Sequence, residues 1–239
     1  GLVGSEMCIR DSSFFARWAL TLMLPVGCVA VLIFVSVVMR PCSCCSVCVR
    51  KRNSARHLAL GIYLVTFTLL ARTSTQPLDC VTMTVGDFQE QAPAFMRTNP
   101  AVQCGGSLPD YRKYVALGVF VLVLVVVSMV CLVRMLRDKV ASCGGDGQRL
   151  RSDQGFVQAF GVLFLRYDPQ HYYWEVLVLS RKLMIVLAQQ LLAENPVAQI
   201  TVCAITLLAS LVAQCCCKPY LSASLDQVEE LLLGACVII

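Results

Sequence analysis

Three charged side chains lie inside one otherwise apolar segment, and their chemistry is the first feature of this chain that needs an explanation. Glu175, Arg181 and Lys182 fall within residues 175–193, directly after the aromatic residues 172–174. On a helix, Glu175 and Lys182 share a face with about 10 Å of rise between them, whereas Arg181 points elsewhere. A charge at the centre of a bilayer costs about 2.5–3.5 kcal/mol, so such side chains reach the headgroups or pair inside the protein.

Two interpretations of these charges stay open. In the first, Arg181 and Lys182 extend to the inner headgroups while Glu175 lies in the interface. In the second, the charges face the interior of a helical bundle, where they line a hydrated path or couple neighbouring helices. Because an opposite charge on the same side of the membrane lowers the burial cost, we predict that at least one basic side chain pairs with an acid of the last polar segment (Asp226, Glu229 or Glu230).

Enzymatic chemistry finds no support in the sequence. The two histidines, His57 and His171, lie near the ends of apolar segments, and His171 fits an interface residue better than a proton relay. No nucleophile elbow, phosphate-binding loop or paired-carboxylate motif stands in a soluble domain. We therefore expect no catalytic site, no cofactor and no metal site.

A cysteine cluster follows the first apolar run. Its spacing, C-x-C-C-x-x-C, matches no standard zinc pattern, so we expect juxtamembrane S-acylation or no role in preference to metal binding. Most of the other cysteines lie in or beside apolar segments, where a thiol behaves as a small hydrophobic group. The candidates for acylation are Cys42, Cys44, Cys45 and Cys48.

The composition defines the class of protein. Hydrophobic residues make up 57% of the chain and charged residues only 15%, with a mean hydropathy of +0.70. A soluble domain would expose too much apolar surface at this composition, so the sequence predicts an integral membrane protein. The net charge of +5 is small and its basic residues cluster beside apolar runs. This pattern favours anionic inner-leaflet headgroups of the lipid bilayer as the partner, and not nucleic acid.

Apolar runs of spanning length predict an all-α membrane protein, a polytopic helical bundle with five full spans and a truncated sixth. The first run crosses a hydrocarbon core of about 30 Å at about 1.5 Å per residue. The second is short, and it spans only if Arg72 reaches the headgroups and Thr66 and Thr68 bond back to the helix; a buried or interfacial helix is the alternative. The predicted spans are residues 18–39, 58–71, 114–133, 175–193 and 197–217, with a partial span at 231–239.

Both ends of the chain carry unusual sequence. Residues 1–12 resemble a translated sequencing-adapter remnant, and the apolar run 231–239 is less than half the length of a span. We therefore expect a fragment whose transmembrane helical domain occupies residues 13–239.

The basic residues predict the orientation in the membrane, which we expect to be the plasma membrane. Lys and Arg number twelve in the segments assigned to the cytoplasm, which include residues 40–57 and 134–171, against four in the outer segments. This asymmetry places residues 13–17 and the loop 73–113 outside. Cys80 and Cys104 are the two cysteines of that loop, so we predict that they form a disulfide in the oxidising compartment.

The segment 155–167 precedes the charged span. Phe156, Phe160, Leu163 and Phe164 recur in it at helical spacing. A helix lying on the inner leaflet and a helix packed under the bundle are equal alternatives.

The charged span also carries a recognisable pattern. The run Y-x-P-x-x-Y-Y-W-E-V-L-V-L-S-R-K-L, followed by N-P-V-A-Q and then K-P-Y before an acidic segment, resembles the membrane part of the transient-receptor-potential-like proteins of protists and fungi. The cysteine-bracketed loop before a long apolar helix is also similar to that family. The resemblance covers residues from about 58 to 239 and is best in 165–220. No loop resembling a selectivity filter stands in this sequence.

The resemblance implies a multi-pass cation channel or channel-like protein. The leading hypothesis is therefore a channel subunit, in a homo-oligomer, that passes cations or responds to the state of the membrane. The alternatives are a non-conducting receptor or adhesion protein whose spans anchor a lost cysteine-rich ectodomain, and a transporter of lipids or small solutes. The candidate functional or coupling residues are Trp174, Glu175, Arg181, Lys182, Gln199, Pro219, Tyr220, Glu229 and Glu230.

Overall fold

A computed structural model describes residues 14–23, 25–27, 30, 46–82, 94–105, 109–144 and 147–238. Within these ranges the chain is mostly helical, as predicted. The helices are α1 within Phe14–Gly27, α2 Ser46–Thr75, α3 Pro109–Ser142, α4 Gly147–Ser152, α5 Gln154–Phe160, α6 Trp174–Leu191, α7 Pro196–Cys217 and α8 Ala223–Ile238. Three short 3-10 helices occupy Gln76–Leu78, Gly161–Leu163 and Pro169–His171.

Three helices among the described residues are long and apolar enough to cross a membrane. They are Arg52–Leu78, Tyr111–Ser142 and Pro196–Cys217, and they contain the predicted spans 58–71, 114–133 and 197–217. The predicted count of five full spans is not confirmed. The helix α6 has 18 residues, the length of a short span, but its three charges leave it without the 18-residue apolar stretch that each of the other three contains. Much of the predicted first span, 18–39, and the segment 1–12 lie outside the described residues.

The helix α2 is twice as long as the apolar run that predicted it. It begins in the basic segment and continues past Arg72 to Thr75, because no proline interrupts it before Pro77. Near its end, hydroxyls donate to carbonyl groups one turn earlier, with Thr73 Oγ1 2.7 Å from the Leu69 oxygen. Of the two threonines expected to bond back to the helix, Thr66 does so, to the Ile62 oxygen at 2.8 Å, whereas exposed Thr68 makes no such bond with the described residues.

The helices α2 and α3 pack closely against each other. The Tyr63 hydroxyl lies 2.6 Å from the Ser128 hydroxyl across this interface. Gly118 allows the backbones to approach, since a Cβ there would clash with the Ser74 carbonyl oxygen and lie 3.3 Å from Pro77 Cγ. The helix α1 meets the same region, where the Trp18 indole donates to the Thr73 oxygen at 3.2 Å.

The loop between α2 and α3 contains a small sheet that the sequence analysis did not predict. Its three antiparallel strands are β1 Cys80–Thr82, β2 Ala94–Met96 and β3 Asn99–Gln103, in that order. The predicted disulfide between Cys80 and Cys104 is confirmed, with Cα atoms 6.3 Å apart. We call this part of the molecule the disulfide end, and we call the opposite end, where α2 begins and α3 and α7 finish, the basic end.

The segment 155–167 packs under the bundle at the basic end. The short helix α5 contacts α2, and the Asn53 amide donates to the Gly155 oxygen at 3.1 Å. Leu163 and Phe164 are almost fully buried. Phe156 and Phe160 are half-buried against the same core, with ring centroids 5.0 Å apart. The structure therefore has the packed alternative.

Candidate functional site at the basic end

A buried hydrogen bond marks the start of α6. The Tyr167 hydroxyl donates to Glu175 Oε2 at 2.7 Å, and the two residues are 1% and 7% exposed. Burial, reinforced by the negative charge of Glu175, raises the pKa of the Tyr167 phenol well above its ordinary value. The phenol therefore stays protonated and remains a donor to the carboxyl group throughout the physiological pH range.

Backbone bonds join the segment before α6 to the turn after α7. The Asp168 amide donates to the Pro219 oxygen at 2.6 Å, and the Leu221 amide donates to the Arg166 oxygen at 3.1 Å. Between these bonds, Tyr167 and Tyr220 form an antiparallel bridge with ring centroids 5.0 Å apart. We call this contact the tyrosine bridge. It connects two loops that are distant in sequence.

An aspartate fixes the turn between α7 and α8. The helix α7 ends with Lys218 in the left-handed conformation, at φ 43°, before Pro219. Asp226 Oδ1 accepts a hydrogen bond from the Gln214 amide at 2.8 Å and from the Tyr220 backbone amide at 3.2 Å. The side chains of Gln214 and Asp226 are both buried, and each satisfies the other by this hydrogen bond.

The predicted pair between α6 and the last acidic segment is present. Arg181 Nη2 lies 2.8 Å from Glu229 Oε1, and the two side chains are 17% and 23% exposed. Adjacent Lys182 is half-buried and makes no ion pair or hydrogen bond with the described residues. Proximity to a carboxylate thus distinguishes these two half-buried cations, and the cation that turns away from the Glu175 face is the one that pairs.

A groove of about 380 Å³ runs between α6 and α7 beside this ion pair. Trp174, Arg181 and Met184 line it from α6, and Thr206 and Ser210 line it from α7. Most of its wall is apolar, because the hydroxyls of Thr206 and Ser210 donate to carbonyl groups of their own helix. The groove can accept an apolar molecule with one end near the Arg181 guanidinium.

The structure gathers some of the candidate residues and leaves others apart. Those brought together at the basic end are Trp174, Glu175, Arg181, Pro219, Tyr220 and Glu229. Gln199 lies near the opposite end of α7, and Glu230 makes no ion pair within the described ranges. The side chains of Cys42, Cys44, Cys45 and Cys48 lie outside the described residues.

Sequence reasoning missed two members of the site. Tyr167 is the first residue of the motif that carries the family resemblance but is not among the candidates, and Gln214 is not among them either. The signal that could have found Gln214 is its position one turn before a lysine-proline break, where a buried helix end needs a polar partner. Tyr167 carries no comparable local signal, because its contact with Glu175 spans no regular helical repeat and its other partner, Tyr220, comes from a distant segment.

The apolar helices and the buried polar contacts between them define an integral membrane protein with several helices in one bundle. The family profile described as "Transient receptor potential (TRP) ion channel" matches residues 3–239. The chain therefore belongs to the transient receptor potential ion channel family, which confirms the resemblance drawn from the sequence. No curated protein and no solved structure matches the chain.

Proposed function

We propose that this protein is a channel subunit that passes cations or responds to the state of the membrane, and that α6 couples its membrane region to the basic end. The observation that carries the proposal is the Arg181–Glu229 pair, which joins α6 to α8 at 2.8 Å. Channel family membership supports cation transport at a coarse level. The coupling role of these particular residues is our inference from the contacts.

The contacts give the pair a route to other elements. Glu175, on the same helix as Arg181, holds Tyr167, and the tyrosine bridge joins Tyr167 to the turn that precedes α8. Breaking a largely buried ion pair by removing one partner costs about 3–5 kcal/mol, since the remaining charge is left without compensation. When α8 is displaced relative to α6, either α6 moves with it or the Arg181–Glu229 pair breaks at a cost of this order.

We further propose that the basic end faces the cytoplasm and the disulfide end faces outside. Arg134, Arg137 and Lys139 near the end of α3 and Lys218 at the end of α7 share the basic end, and bases concentrate in cytoplasmic segments. The disulfide at the opposite end suits an oxidising compartment. This orientation brings the Arg181–Glu229 pair close to the inner leaflet.

Patch-clamp recording on the full-length protein tests the coupling. We expect Arg181→Gln and Glu229→Gln each to change the open probability at matched surface expression, and the exchange Arg181→Glu with Glu229→Arg to restore much of it. Lys182→Gln is the matched control, because it removes a neighbouring cation with no carboxylate partner among the described residues. Currents that respond equally to Arg181→Gln and Lys182→Gln, or a charge exchange without recovery, would contradict the proposal.

The groove between α6 and α7 supports one alternative function, the transport of lipids or small solutes. Its apolar wall and single guanidinium suit an amphipathic molecule with an anionic head. Reconstituted protein that moves a fluorescent anionic lipid between leaflets without carrying a cation current would favour this alternative. A cation current without lipid movement favours the channel.

A further inference from the structure

We propose that Cys215, Cys216 and Cys217 form an S-acylation site, at which the protein takes up long-chain fatty acyl groups at the basic end of α7. This site is separate from the cysteine cluster singled out in the sequence. It goes beyond the proposed channel function, although it uses the proposed cytoplasmic orientation of the basic end.

The three thiols are free and accessible. All three cysteines are unpaired and exposed, in contrast to Gln214 immediately before them, which is buried. Consecutive helical residues point in directions about 100° apart, so three exposed neighbours together cover most of the helix circumference. No protein surface among the described residues shields this last turn of α7.

The depth of the thiols suits acylation. The helix α7 has 22 residues, Pro196–Cys217, and therefore a length of about 33 Å, close to the thickness of a hydrocarbon core. Its last turn then lies at the membrane boundary, directly before the exposed Lys218. Juxtamembrane cysteines at such positions are the usual substrates of reversible S-acylation.

The surface next to the thiols is ready to receive an acyl chain. Leu208 and Val212 are 51% and 54% exposed, and they stand seven and three residues before Cys215 on the same helix face. Leu221 and Leu225, just beyond the turn, are 58% and 48% exposed. A chain attached at this turn can extend into lipid along α7 while the turn itself rests in the interface.

The reaction requires a thioester donor from the cytoplasm. A cysteine thiolate attacks the carbonyl carbon of a long-chain acyl-coenzyme A, the bond from that carbon to the coenzyme A sulfur breaks, and coenzyme A leaves as a thiol after taking the proton. No electrons are exchanged with an outside oxidant or reductant. A membrane-bound protein acyltransferase can transfer the acyl group, because the thiols lie at the depth of the headgroups.

Acyl exchange on the full-length protein tests the site. Free thiols are blocked after reduction, thioesters are cleaved with hydroxylamine, and each released thiol is tagged with a polymer that shifts the band by one step. A background in which Cys42, Cys44, Cys45, Cys48 and Cys143 are changed to Ser removes the predicted acylation cluster and the free cysteine that follows α3 at the basic end. In that background we expect one to three steps, which disappear when Cys215, Cys216 and Cys217 are all changed to Ser.

Cys203→Ser is the matched control, because Cys203 lies on the same helix but well inside the membrane and half-buried. We expect it to leave the pattern unchanged. If the triple variant does not reach the membrane, the three single variants test the site instead. We expect each single variant to lose one band step or to show a smaller fraction of protein in that step. A complete absence of hydroxylamine-dependent steps, or steps that persist in the triple variant, would overturn the proposal.

Discussion

The change of Tyr167 to Phe isolates the buried hydrogen bond at the start of α6. The hydroxyl lies 2.7 Å from Glu175 Oε2, and both residues are almost fully buried. Tyr167→Phe keeps the ring and removes only the donor. A hydrogen bond to a charged group contributes about 1.5–3 kcal/mol, and an unsatisfied buried acceptor costs about 1–3 kcal/mol. We therefore expect a loss of about 1.5–3 kcal/mol in the free energy of unfolding.

Reversible unfolding in mixed detergent micelles measures this loss from the transition midpoint and slope. Tyr172→Phe is the control, since the Tyr172 hydroxyl makes no hydrogen bond with the described residues. We expect the control to change the free energy by less than about 0.5 kcal/mol. The loss caused by Tyr167→Phe should also shrink in a Glu175→Gln background, because residues in direct contact couple by about 0.5–3 kcal/mol.

The hydrogen bond between Tyr167 and Glu175 also predicts that the free energy of unfolding falls at alkaline pH. Burial and the charge of Glu175 raise the pKa of Tyr167 above its ordinary value of about 10. The folded protein thus keeps a proton that the unfolded chain loses, so the stabilisation is complete below about pH 10 and declines as the pH rises above it. Wild-type protein should lose stability more steeply in this range than Tyr167→Phe. Equal slopes, or a stability loss no larger than that of Tyr172→Phe, would refute the buried bond.

Two further predictions concern the disulfide end. Gly118→Val should lower the free energy of unfolding by about 1–3 kcal/mol in the same assay, because the new side chain meets a carbonyl group of α2. Gly61→Ala is the control and should be neutral or stabilising, since the space around Gly61 is open. A Gly118→Val variant of unchanged stability would mean that α2 and α3 do not approach so closely. Cys80→Ser and Cys104→Ser should each lower the free energy of unfolding by about 2–4 kcal/mol, and the double variant should lower it no further than either single variant. Each variant should also lose the difference in gel mobility between reduced and oxidised protein. Additive effects of the two changes would argue against a bond between the two cysteines.

The sequence predicted those features that depend on the solvent properties of the bilayer. Apolar runs located the cores of α2, α3 and α7, because a segment in lipid must satisfy its backbone within one helix. The cost of a lone charge predicted a pair for α6, and the assignment of the loop 73–113 to an oxidising compartment predicted the bond between Cys80 and Cys104. These arguments need no knowledge of how distant segments meet.

Features that depend on long-range geometry were missed. The strands β1, β2 and β3 have three to five residues each, too few for an alternating pattern to stand out. The choice of Glu229 as the partner of Arg181 depends on how α8 docks, since Glu229 and Glu230 are equally charged. The tyrosine bridge joins two loops whose sequences contain no pairing signal, so only the packed structure reveals it.

The tyrosine bridge has a mechanical consequence. The turn after Leu191 joins α6 and α7 covalently at one end, and the bridge ties them at the other, so the two helices form a closed ring of chain. The two backbone bonds of the bridge flank Tyr167: Leu221, in one bond, leads into α8, and Asp168, in the other, leads towards α6, so a load between α8 and α6 acts across both bonds. We expect α6 and α7 to move as one rigid unit under such a load, and to separate at this end only when both backbone bonds of the tyrosine bridge break.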